Sequence, residues 1–205
     1  MKRISLLCVL ALLLSTVAMA NIIPTTPGPT PSGSNFLWAY NFTVSADQNV
    51  NSGIVPLVNP VDPLDLTPGG FVTIYDFQGY VAGSCSGPAG WTCVVQNIGF
   101  TPSDTLPPDS ASIVNLTWVY TTGSTVDGPT IVNGFSAVSI YGLEQQVSFT
   151  SRGWRNQGIQ IGTVTDNVGK TTGPAPIPEP ATLALLGSGI LAGAIRLKSA
   201  WTAKR

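Results

Sequence analysis

In the stretch FLWAYNFTVS the side chains alternate in character with a period of two. Phe36, Trp38, Tyr40, Phe42 and Val44 fall on one face of an extended chain; Leu37, Ala39, Asn41, Thr43 and Ser45 fall on the other. A helix would scatter the five large groups around its axis. A strand gathers them into one aromatic face, which a second layer must cover. The pattern recurs in SIVNLTWVYT, where Val114, Leu116, Trp118 and Tyr120 share a face opposite Asn115 and Thr117.

Five further segments are rich in β-branched and aromatic residues: 71–77, 91–100, 134–142, 146–152 and 158–164. Turn signals separate them, among them Pro68-Gly69-Gly70, Pro107-Pro108-Asp109 and Asp127-Gly128-Pro129. Nothing between residues 21 and 177 keeps a helical period. Roughly seven to nine short strands with frequent turns predict an all-β, antiparallel β-sandwich over residues 35–165. No internal repeat points to a propeller or solenoid. On either side, residues 21–34 (NIIPTTPGPTPSGS) and 166–177 read as linkers, because proline and glycine dominate them.

The ends of the chain differ from this middle. Lys2 and Arg3, the apolar run from Ile4 to Leu14, and Ala18-Met19-Ala20 make a secretory signal peptide over residues 1–20. Signal peptidase would cut after Ala20, with Ala18 as the other small residue, and Cys8 would leave with the leader. At the other end Ala181–Ile195 carries no charge. As a helix it would span about 22 Å, short for a hydrocarbon core of about 30 Å. Leu197 extends it to a single transmembrane helix over 181–197 if Arg196 and Lys198 snorkel to the headgroups. Arg196, Lys198, Lys204 and Arg205 form a basic tail that would stay in the cytoplasm.

Pro178-Glu179-Pro180, followed by ATLALLG, an apolar run and basic residues, resembles a PEP-CTERM sorting signal. The resemblance covers about residues 176–205 and gains specificity from the export signal at the opposite end. It implies processing by an exosortase-type membrane enzyme in a bacterium that makes exopolysaccharide, with residues 178–205 as the sorting segment. Glu179 is then a recognition residue, and the two prolines keep the site extended. The implied route runs through the inner membrane, where the C-terminal helix holds the chain, to the outer cell surface or the medium.

Charge narrows the partners. Three basic residues (Arg152, Arg155, Lys170) stand against nine acidic ones between residues 21 and 177. A nucleic-acid surface needs clustered cations, so nucleic acid is excluded. Without its leader the chain keeps two cysteines, Cys85 and Cys93, separated by a turn-forming Gly-Pro-Ala-Gly stretch. In an exported chain they read as one structural disulfide; free thiols or a redox or metal pair are the alternatives.

Chemistry is sparse. The chain has no histidine, which removes Ser-His-Asp and Cys-His arrangements and His-based metal sites. Glu144 is the one glutamate between residues 21 and 177. Asp62, Asp65 and Asp76 could offer oxygen to calcium, but without calcium-loop spacing. Trp154 lies between Arg152 and Arg155 in a polar stretch and is the candidate glycan contact, with a cation–π pair conceivable there. No cofactor and no metal are expected. The reading is a non-enzymatic surface or matrix protein associated with exopolysaccharide or biofilm. A secreted carbohydrate- or calcium-binding β-sandwich module is the alternative.

Overall fold

The structure, a computed structural model, describes residues 22–53, 69–102 and 104–177. The expected signal peptide, Asp62 and Asp65, the Pro178-Glu179-Pro180 motif, the 181–197 helix and the basic tail lie outside these residues. The chain parts after Ala175 into two units.

The described residues form eleven strands: β1 (Ile22–Thr25), β2 (Pro29–Ser32), β3 (Asn35–Val44), β4 (Gln48–Val50), β5 (Phe71–Ile74), β6 (Trp91–Gln96), β7 (Asn115–Tyr120), β8 (Val126–Asp127), β9 (Thr130–Ser139), β10 (Leu143–Arg155) and β11 (Val164–Ala175). Every strand pairing among them is antiparallel. The smaller sheet runs β1-β3-β2, with β9 on the other side of β3. The larger runs β6-β7-β5-β10-β4-β8, with β11 on the other side of β10. Among the described residues no helix is long and apolar enough to cross a membrane.

The alternation in β3 is realised as expected: Trp38, Tyr40, Phe42 and Val44 are buried, and the residues between them are half-exposed. They meet Val72, Ile74, Leu116, Trp118 and Tyr120 of the larger sheet in one core. Phe42 stacks on Phe135 at 3.8 Å between ring centroids and 16° between planes. Trp118 sets its edge against both rings. Such geometries favour the positive ring edge meeting a negative face. The buried polar ends find partners, with Trp38 Nε1 donating to Tyr141 O (3.1 Å) and Trp118 Nε1 to Ser86 O (2.8 Å).

β7 departs from simple alternation, since all six of its residues are buried. Its second face is covered by residues 97–102. There Phe100 packs with Phe71 and Val119, and the Phe100 carbonyl accepts from Thr73 (2.9 Å), Tyr75 (2.9 Å) and Thr150 (3.1 Å). Thr117 pairs with Thr73 at 2.9 Å. Threonines placed to face solvent in an alternating strand instead satisfy a covering loop. Burial pushes the Tyr75 hydroxyl up to about 12, against weaker lowering by its Thr101 and Thr150 hydrogen bonds.

Both expected linkers are strands. Residues 22–32 form one interrupted arm along β3, with Ile22 opposite Val44 and Ser32 opposite Asn35. Proline is compatible with such an arm because its edge position needs no full set of N–H donors, and prolines there resist pairing with another chain. Ile22 is fully buried, and Ser151 and Thr171 donate to the Ile22 and Pro24 carbonyls. Residues 164–175 pair with β10 over twelve positions. Gly169 and Gly173 are not breakers there. A Cβ on Gly169 would meet the Phe149 ring at 2.7 Å, and one on Gly173 would meet Val147 at 2.9 Å. The folded unit therefore exceeds the expected 35–165 at both ends. The strand expected at 158–164 is instead a 3-10 turn at Gly158–Gln160 inside the β10–β11 connection.

An Ile22→Ala substitution separates the strand from a linker. It is expected to cost about 2–5 kcal/mol in urea unfolding, whereas a linker residue would cost nothing measurable.

Candidate functional site

The chain leaves the folded unit at Ala175, the last residue of β11 and the partner of Leu143 at the start of β10. Three residues beyond it lies Pro178. The spacer expected between domain and motif is thus reduced to residues 176 and 177. Beside this exit is the β9–β10 turn, residues 140–142, whose backbone is held at three of its polar groups. Ile140 N donates to Gly79 O (2.9 Å), Tyr141 N to Ser139 Oγ (2.9 Å), and Tyr141 O accepts from Trp38 Nε1. Gly142 packs against the Phe36 ring so closely that a Cβ would collide with it.

Next to the turn a cavity of about 230 Å³ is lined by Phe77, Gln78, Gly79, Tyr80 and residues 112–114. One wall is held by a polar node. Asp76 adopts φ 54°, a left-handed conformation that aspartate tolerates better than most residues. Its N–H donates to Asn115 Oδ1 (2.8 Å), and its Oδ1 accepts from Ser110 N (3.0 Å). The Asn115 amide in turn donates to Asp109 Oδ1 (3.0 Å) and Asn97 O (3.2 Å). The carboxylates of Asp76 and Asp109 are engaged in fixing loop backbone and amide. Among the described residues no group of three or more Cys, Asp or Glu is placed to hold a metal ion. Burial raises the Asp109 pKa; the Asn115 hydrogen bond opposes this, and the charge of Asp76 adds to it. No local pattern marks this node, because its members are spread over residues 76–115 and only the fold assembles them.

The remaining candidates are placed as follows. Cys85 and Cys93 form a disulfide with their Cα atoms 6.0 Å apart. It ties the start of β6 to the loop that supplies Ser86 to β9. Glu144 is exposed on β10 beside Gly28. Trp154 is half-buried, with Asn49 and Val164 as strand partners. The neighbouring arginines do not stack on it. Arg152 makes a two-pronged bond to Asp166 (2.7 and 2.8 Å) and lies 5.7 Å from the centre of the Phe71 ring. Arg155 pairs with Asp47 at 3.5 Å. Their acidic partners are far away in sequence, which is why spacing suggested Trp154 instead. Trp38, Trp91 and Trp118 are buried in the aromatic core.

The node makes two stability predictions. Asp109 binds its proton more tightly in the folded than in the unfolded chain, so its contribution is complete below the ordinary carboxylate pKa and is lost as pH rises through the raised value. Asp109→Asn keeps an acceptor for Asn115 without the desolvated charge. It should melt above the wild type at pH 7, with the two curves converging near about pH 3. Asn115→Ala leaves the Asp76 amide and the Asp109 carboxylate without their partner, and should cost about 3 kcal/mol in denaturant unfolding.

Comparison with known proteins bears on the exit from β11. The chain matches none of the curated proteins with which it was compared. Residues 176–199 match the model of the PEP-CTERM protein-sorting motif, which therefore begins at the residue after β11 ends. The chain carries the mark of an exported protein destined for surface-linked sorting by an exosortase-type enzyme.

Proposed function

We propose that this protein is a non-enzymatic component of the bacterial cell surface or extracellular matrix, associated with exopolysaccharide or biofilm. Residues 1–20 export it, and residues 181–197 hold it in the inner membrane as a helix. An exosortase-type enzyme then recognises Pro178-Glu179-Pro180 and removes the basic tail of Arg196, Lys198, Lys204 and Arg205. The folded unit is released to the surface or the medium.

The observation that carries this reading is the sorting motif at residues 176–199, which begins in sequence at the residue after the last strand of an antiparallel β domain. The non-enzymatic part is supported by how four of the described carboxylates are used. Asp76 and Asp109 hold a loop, Asp166 pairs with Arg152 and Asp47 with Arg155. The absence of histidine from the whole chain leaves few general bases near neutral pH.

Intact mass of the protein recovered from its native cells tests the reading. The expected species lacks residues 1–20 and everything beyond about Pro178, and gains two hydrogens on reduction of Cys85–Cys93. Replacing Pro178-Glu179-Pro180 by three alanines should leave the tail attached. A native species that ends at Arg205 would refute sorting.

A further inference from the structure

The β9–β10 turn is unusual in what it exposes. Tight turns favour Gly, Asn, Asp and Ser, yet this one reads Ile140-Tyr141-Gly142-Leu143. Ile140 is 50% exposed and Leu143 47% exposed. Neither is loosely held, because the turn backbone is bonded to Gly79, Ser139 and Trp38 and Gly142 is pressed on Phe36. The fold thus holds two aliphatic side chains outward on a fixed turn, with a tyrosine between them.

Their location decides what they meet. Leu143 is the strand partner of Ala175, the residue at which the chain leaves the folded unit. Five residues, 176–180, separate Ala175 from the apolar run that begins at Ala181. They reach at most about 18 Å. With that run in a bilayer, the Leu143 end cannot stand far from the lipid surface. We infer that the Ile140–Leu143 turn docks the folded unit upright on the bilayer surface before sorting, through insertion of Ile140 and Leu143 among the headgroups. This rests on the proposed role of residues 181–197 as a membrane segment.

Chemistry fits a lipid surface better than an anionic site. The nearest charge on this end of β10 is Glu144, so binding depends on apolar contact and not on attraction to anionic lipid. Tyrosine is at home at the headgroup level. Weak contact suffices, because the tether supplies a high effective concentration. The molecule has a second exposed apolar end, Ile159 and Ile161 in the β10–β11 connection. It lies beyond Trp154, eleven residues along β10 from Leu143 and so roughly 36 Å away. To bring both ends to lipid the unit would have to lie flat on β11. That would press the exposed Lys170 and the outer backbone edge of β11 onto the bilayer, and among the described residues β11 pairs only with β10.

The test uses residues 21–205 reconstituted in phosphatidylcholine vesicles, with a nitroxide on Leu143→Cys, Ile140→Cys, Val168→Cys or Ile159→Cys in separate samples. All four positions are exposed, Leu143 the least at 47%, and the Cys85–Cys93 bond is checked by mass. Upright docking predicts that oxygen collides with the labels at 140 and 143 several-fold more often than a water-soluble nickel chelate does, and the reverse at 168 and 159. Adding Ile140→Glu to the Leu143 label should return that label to water. Lipid exposure at all four positions means flat docking and overturns the proposal. Water exposure at all four, with the chain retained on the vesicles, overturns docking and leaves the membrane-segment reading standing. A chain that does not stay with the vesicles overturns both.

Discussion

The stacked pair of Phe42 and Phe135, with Trp118 set edgewise against both, is the contact on which the two sheets depend. Phe42 and Phe135 come from paired strands of the smaller sheet and Trp118 from β7 of the larger, next to its edge strand β6. Tyr40 and Trp91 extend the cluster on either side. A domain with so few charges has little surface electrostatics to rely on, and burial of large rings supplies most of its cohesion. The disulfide adds to this core at its margin: Cys85 and Cys93 pack against it half-buried.

The larger sheet solves a second problem. Its outer face would be a row of threonines and a phenylalanine open to water, but residues 97–102 cover it. A loop carried over a sheet brings backbone polar groups into a buried place, and each needs a partner. The hydroxyls of Thr73, Tyr75 and Thr150 provide one for the Phe100 carbonyl. Arg152 with Asp166 closes the same face, and hydrogen bonding to Asp166 raises the guanidinium pKa against the opposing effect of burial. A fold with a one-sided expectation thus has two buried faces on its central sheet.

Much of this was legible in the residues. The period of two in β3 revealed strand, face and aromatic core, because a half-buried strand imposes that period directly. The cysteine pair was readable from count and spacing, and the sorting motif from its position. Proline and glycine misled at both ends of the domain. Their local effect was read correctly, yet Pro24 and Pro31 sit on an edge arm where a missing donor costs little. Gly169 and Gly173 occur where a neighbour's side chain needs the room. The Asp76–Asn115–Asp109 node and the Arg152–Asp166 pair were illegible for a different reason: tertiary contacts between distant positions leave no periodic trace in one sequence.

Because β1 begins at Ile22 and β11 ends at Ala175, a strand stands at each limit of the interval between the proposed signal peptide and the sorting motif. On the proposed processing, the two cuts trim the chain nearly flush with its fold. Each new terminus would lie within about three residues of a ladder of backbone hydrogen bonds. Exopeptidases need slack chain to start on, and this protein would offer them almost none. For a protein released outside the cell, where no chaperone or new synthesis replaces it on the spot, such blunt ends translate into a long working life.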